Sequence, residues 1–117
     1  YGQSKLANIL FTYELARRLA GSGVTVNCLH PGAVATRLGQ NNGRVATLLT
    51  KALAPFFRTA AKGASTSIHL ATAPAVEGVS GRYFSNCKEA RSSRASHDEA
   101  AAQRLWDVSA QLTGLAV

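Results

Sequence analysis

The sequence predicts an α/β fold, and the prediction rests on a helical repeat of apolar residues at the start, a β-branched run directly after it, and later helical stretches alternating with short extended ones. From Gly2 to Ala20, Leu6, Ile9, Leu10, Tyr13, Ala16 and Leu19 recur at threes and fours, and Gly21-Ser22-Gly23 then breaks the pattern. Phe11 and Leu15 widen the apolar surface beyond one stripe, so this helix is expected to bury a second face against another element or a subunit. Val24-Thr25-Val26-Asn27-Cys28-Leu29-His30, bounded by Gly23 and Pro31-Gly32, reads as a short and largely buried strand. Ligands of α/β sheets sit beyond the carboxyl ends of the strands, which directs attention to Pro31 through Leu38.

Residues 44 to 54 form a second predicted helix, with Val45, Leu48, Leu49, Ala52 and Leu53 on one face and Pro55 ending or kinking it. Continued by Phe56 and Phe57, it suits a lid over a lipophilic substrate or a patch resting on a membrane as well as it suits ordinary core packing. A third helix runs from about Arg58 to Thr72, where the small residues Ala60, Ala61, Gly63, Ala64 and Ser67 permit close packing. Glu77 to Gly81 is a turn, and Arg82-Tyr83-Phe84 leaves room only for a very short strand. Ser96-His97-Asp98-Glu99 reads as a capping box opening the last helix, with Ala101, Leu105, Val108 and Leu112 inward and a stop near Gly114.

The 117 residues suffice for one domain or part of one. Tyr1 opens on what already reads as helix interior and no methionine occurs, so the chain is expected to be a fragment. The net charge of +7 is uneven: residues 1 to 62 hold eight Lys or Arg against Glu14 alone, while the remainder balances. Those basic residues are spread out, with no interleaved aromatics and no reader motif, which argues against nucleic acid. Cys28 and Cys87 have no second thiol or histidine at ligand spacing and are expected free and reduced, with no metal site. No run approaches the roughly 18 apolar residues that span a bilayer. The cytoplasm is the favoured location, with membrane association as the second.

Tyr1 and Lys5 stand four residues apart on the predicted helix, so phenol and ammonium share one face. A free tyrosine ionises near pH 10, whereas acid–base work near neutrality wants a value closer to 7. One positive charge about 6 Å away, at an effective dielectric near 20, supplies roughly 2.8 kcal/mol, or about two pK units. The rest must come from hydrogen bonds, a helix N-terminus or a cationic ring nearby. His30, at the strand end with no visible partner, reads as an ordinary satisfied histidine.

Tyr1-Gly2-Gln3-Ser4-Lys5 resembles the Tyr-x-x-Ser-Lys active-site motif of the short-chain dehydrogenases/reductases, and His30-Pro31-Gly32-Ala33-Val34-Ala35-Thr36 resembles that family's Pro-Gly loop beside the nicotinamide. The likeness continues through Gly63-Ala64-Ser65-Thr66, Ser80-Gly81-Arg82-Tyr83-Phe84 and Leu105-Trp106-Asp107-Val108-Ser109, which look most like retinol-dehydrogenase-like members.

The resemblance implies that residues 1–117 are the C-terminal part of one NAD(P)-binding, doubly wound Rossmann-type domain, a parallel sheet with flanking helices. It implies an oxidoreductase with NADP as cofactor, NAD being the second choice, acting on a small or lipophilic alcohol or carbonyl. Tyr1 would protonate the carbonyl oxygen, and Lys5 would lower the Tyr1 pKa and hold the nicotinamide ribose. Pro31 and Gly32 would line the ring, the Val34 backbone would hydrogen-bond the carboxamide, and Thr36 would contact the carboxamide or pyrophosphate. The family's Gly-rich phosphate turn, adenosine-ribose selector, active-site serine and asparagine belong ahead of Tyr1, so no turnover is expected from these residues alone. The rival readings are a non-catalytic relative that binds a nucleotide or partner, and an interaction module using basic and apolar faces on membranes or proteins. Oligomeric state stays open.

Overall fold

The structure is a computed structural model and describes residues 1–32, 34 and 59–115. Helix α1 spans Gly2–Arg18. It ends before Ala20 at the C-cap Leu19, where the Gly21-Ser22-Gly23 break follows and the Ser22 amide donates to the Leu19 carbonyl at 3.0 Å to tighten the exit. Strand β1 is Asn27–His30 and pairs in parallel with β2, Arg82–Ser85, in the register Asn27 with Arg82 and His30 with Ser85. Helix α2, Ala60–Thr72, lies in the connection between them. Strand β3, Lys88–Glu89, turns back antiparallel on β2, and helix α3, Glu99–Thr113, closes the described chain.

These elements make a mixed α/β arrangement with a parallel pair and flanking helices, the expected class. The β-branched run Val24–Val26 stays outside the ladder, contrary to expectation, because β2 begins only at Arg82. Before that point Gly81 donates to the Val26 carbonyl at 2.7 Å, while the Asn27 side chain binds the Val79 carbonyl and the Arg82 amide at 2.7 and 3.0 Å. Paired to β2 and packed against α1, β1 is half-buried rather than largely buried.

Strand β3 is absent from the sequence reading. Asn86 and Cys87 take φ of 55° and 59°, the two left-handed positions of a type I′ hairpin turn, where Asn-Gly would have been the legible signal. A cysteine there carries strain of about 1–2 kcal/mol. Its amide is held by Thr66 Oγ1 of α2 at 3.2 Å, and Thr66 is fully buried.

The last helix also differs from expectation. Its N-cap is Asp98, whose Oδ1 accepts from the Ala101 amide at 2.9 Å, and not Ser96. Ser96 belongs to a preceding 3-10 turn, Arg94–His97, where its buried hydroxyl sits 2.6 Å from the Ser93 carbonyl and 2.7 Å from Ser92 Oγ. Gly114 ends the helix in a left-handed cap, as expected. The inward residues are Ala102 and Ala110, with Trp106 midway, whereas Val108 and Leu112 are exposed.

Trp106 sets that rotation. Its indole stacks on Phe11 of α1 with centroids 5.5 Å apart and takes the Arg18 guanidinium over its face at 4.5 Å. The second apolar face predicted for α1 is met by α3 only in part, since Phe11 stacks on Trp106 yet stays 45% exposed. Beside this stack Glu14, with its side chain 5% exposed, binds Arg17 at 2.7 Å and Arg18 at 2.7 Å. Arg17 extends to Glu99 at 3.9 Å and Arg18 to Asp107 at 3.8 Å, both on α3. Burial pushes the Glu14 carboxyl upward, but the hydrogen bonds and charges of the two arginines outweigh it and leave it below the usual range.

Glu14→Ala should therefore lower unfolding stability in urea by about 2–3 kcal/mol, the scale of hydrogen bonds to a charged group. Because the folded-state value is depressed, the contribution is full above the unfolded value of 4.5 and is lost as pH falls through the folded one. Stability measured against pH should fall on the acid side in the native protein, with a shallower fall in Glu14→Gln.

Candidate active site

Seventeen residues of α1 span about 25 Å at 1.5 Å each. Ala16, near the far end of α1, lies beside Gly81 at the start of β2, so α1 runs opposite to the parallel strands. Since α1 packs beside β1 after a short connection, the first turn of the helix comes level with the carboxyl end of the strand. Tyr1 and Lys5 are therefore brought to the same end of the sheet as Pro31 and Gly32.

Tyr1 occupies the N-cap position and is 84% exposed. Its carbonyl accepts from the Lys5 amide at 3.1 Å and from the Ser4 hydroxyl at 2.8 Å, so Ser4 serves the start of the helix. Lys5 Nζ stands over the Tyr1 ring, 5.2 Å from its centroid. The predicted pairing on one helical face is thus present. Lys5 has no carboxylate partner among the described residues, which leaves its three donors for a ligand.

The other two tyrosines are less suited to proton transfer. Tyr13 has its hydroxyl 2.7 Å from Ser92 Oγ and its ring stacked on His97 at 5.2 Å. Burial, with the nearby Cys28 and Tyr13, pushes the Tyr83 phenol up and keeps it protonated. The Cys28 thiol is likewise pushed up by burial, a shift offset only in part by hydrogen bonding from Thr12. Cys28 and Cys87 are both free, and His30 is exposed at its strand end.

Beyond β1, Pro31 is exposed and Gly32 half-buried with φ of 81°, a conformation that only glycine adopts without strain. Val34 is half-buried and lies against Gly63 of α2. Thr36, the helix expected over residues 44–54, Phe56, Phe57 and Arg58 lie outside the described residues. An exposed phenol, an ammonium with no carboxylate partner among the described residues and a glycine-shaped loop at the carboxyl end of a parallel strand fit a nicotinamide ring and its ribose. Sequence reading missed Gly63 as part of this site, having noted it as one of several small residues and as part of the Gly63-Ala64-Ser65-Thr66 likeness; its contact with Val34 is nonlocal.

A separate cleft of about 470 Å³ is lined by Tyr13, Arg17, Ser80, Arg82, His97 and Glu99. It opens where β2 begins, the end of the parallel strands opposite the Pro-Gly loop, and it contains neither Tyr1 nor Lys5. The loop end is the better candidate on the rule that α/β ligands sit at strand carboxyl ends. Among the described residues no three His, Cys, Asp or Glu are grouped to hold a metal ion, and no helix is long and apolar enough to cross a membrane.

Residues 1–46 match the family model described as short chain dehydrogenase. Retinol dehydrogenase 14 of Homo sapiens is 54% identical over 98% of this chain and 35% of its own length. The chain belongs to the short-chain dehydrogenase/reductase family. Retinol dehydrogenase 12 of Mus musculus is 46% identical over 98% of the chain and 36% of its own length, and retinol dehydrogenase 11 of Homo sapiens is 45% identical over 100% and 36%. The retinol-dehydrogenase-like character expected from the later motifs is therefore present. The chain spans about a third of the length of the curated relatives it matches.

Gly32 carries the Pro-Gly loop at φ of 81°, where an L side chain is strained. Gly32→Ala should cost about 1–2 kcal/mol in denaturant unfolding because an L-residue is forced to positive φ. Unchanged stability would mean that the loop relaxes to another backbone path.

Proposed function

We propose that this chain is the C-terminal portion of one NAD(P)-binding domain, in a protein that interconverts an alcohol and a carbonyl compound using NADP, with NAD as the second choice. The observation that carries this reading is the Tyr1 and Lys5 pair on the first turn of α1, level with the Pro-Gly loop at the end of β1. The relatives' names point to a retinol-like, lipophilic substrate, which is the class proposed here.

Tyr1 Oη gives its proton to the carbonyl oxygen in the reducing direction and takes it back in the oxidising one. Lys5 Nζ would donate to the ribose hydroxyls and would stabilise the phenolate that Tyr1 becomes. Pro31 and Gly32 would form one wall against the ring, the Val34 backbone would bind the carboxamide, and Thr36 would contact the carboxamide or pyrophosphate. When bound, the nicotinamide group supplies or receives the hydride.

The test is carbonyl-dependent oxidation of NADPH by the full-length protein. Tyr1→Phe should lower kcat by about 10²–10⁴-fold while nucleotide binding persists, the usual scale for a lost general acid. Lys5→Met should weaken nucleotide binding and lower kcat together. Residues 1–117 alone should show no turnover. Nucleotide binding without turnover in the native full-length protein would move the reading to a non-catalytic relative of the same fold.

A further inference from the structure

Gly63 occupies the first turn of α2, within a helix, where glycine costs about 1 kcal/mol relative to alanine. It is buried, whereas its neighbours Ala60, Ala61 and Ala64 are exposed. A Cβ built at this position would lie 2.6 Å from Val34 Cγ2 and 3.1 Å from Val34 Cγ1. The missing side chain is therefore the space that the Val34 isopropyl group fills.

Helix α2 is not free to move away from such a clash. Thr66, three residues beyond Gly63 and fully buried, is held under the β2–β3 turn by the Cys87 amide at 3.2 Å. That turn is itself held at φ of 59° by this contact. Load placed at residue 63 thus falls on Val34 and the loop leading back to Gly32.

We infer that Gly63 is a positioning residue for the 31–34 loop: by leaving room for the Val34 side chain, it sets the backbone that binds the nicotinamide carboxamide. The loop half of this inference stands on the packing alone, and the nicotinamide half rests on the function proposed above. Gly63 touches no reacting atom; it acts through Val34.

The experiment compares the full-length protein with Gly63→Ala, Val34→Ile and the double variant Gly63→Ala/Val34→Ala. The readouts are the Kd for NADPH by fluorescence, melting temperature, and amide hydrogen exchange at residues 32–34 without nucleotide. Gly63→Ala should raise Kd about tenfold, a modest share of what a 1 Å misplacement can cost. It should also speed exchange in the loop, and the double variant should recover both. Val34→Ile, which crowds the same contact from the other side, should weaken binding even if Gly63→Ala does not fold.

Unchanged loop exchange and Kd in Gly63→Ala and Val34→Ile, or no recovery in the double variant, would overturn the inference. Absence of binding of both NADPH and NADH by the native protein would instead defeat the proposed function and the nicotinamide half together. The exchange measurement would still decide whether Gly63 positions the loop.

Discussion

The contact between α1 and α3 supports the rest of the arrangement, and Glu14 is at its centre. A carboxylate buried this deeply is stable only if its charge is met, and Arg17 and Arg18 meet it from the next turn of the same helix. Each guanidinium then reaches an acid of α3, and Arg18 also covers the Trp106 indole that Phe11 stacks upon. One buried charge thereby orients two arginines, and the arginines orient the neighbouring helix. Its consequence for function lies at the other end of α1. Tyr1 stands about 20 Å from Glu14 along the helix axis, so the exposed tip is aimed by an anchor four turns away.

What was legible in the sequence was whatever depends on local spacing. Tyr1 and Lys5 share a face because four residues make about one helical turn, and Gly114 stops α3 because glycine takes the left-handed conformation readily. Glu14 shows the limit of the same method. It was counted only as a charge, although Arg17 and Arg18 at three and four residues on were a signal of pairing; its burial depends on α3, which no local pattern contains. The parallel pairing of β1 with β2 was legible as a class, but the start of the ladder was decided by the Asn27 side chain and the turn before Arg82.

The errors in the last third have related causes. Ser96 and Asp98 are both good caps, and the preceding 3-10 turn chose between them by engaging the Ser96 hydroxyl with Ser92 and Ser93. The inward face of α3 was read from the larger apolar side chains, yet two helices that enclose a tryptophan pack best through alanines on either side of it. The β2–β3 hairpin was hidden because Cys87 replaces the glycine that marks such turns, with Thr66 supplying the compensating hydrogen bond.

The candidate site is assembled from parts remote in sequence: the tip of α1, the end of β1, and a gap in α2 shaped for Val34. Its central claim is that these parts face one nicotinamide ring. A crystal structure of the full-length protein with NADPH bound tests this most directly. The account predicts the ring between the Tyr1 hydroxyl and residues 31–34, with Lys5 Nζ at hydrogen-bond distance from a ribose hydroxyl. A nicotinamide bound elsewhere, such as in the cleft of Tyr13, Arg82 and His97, would contradict it.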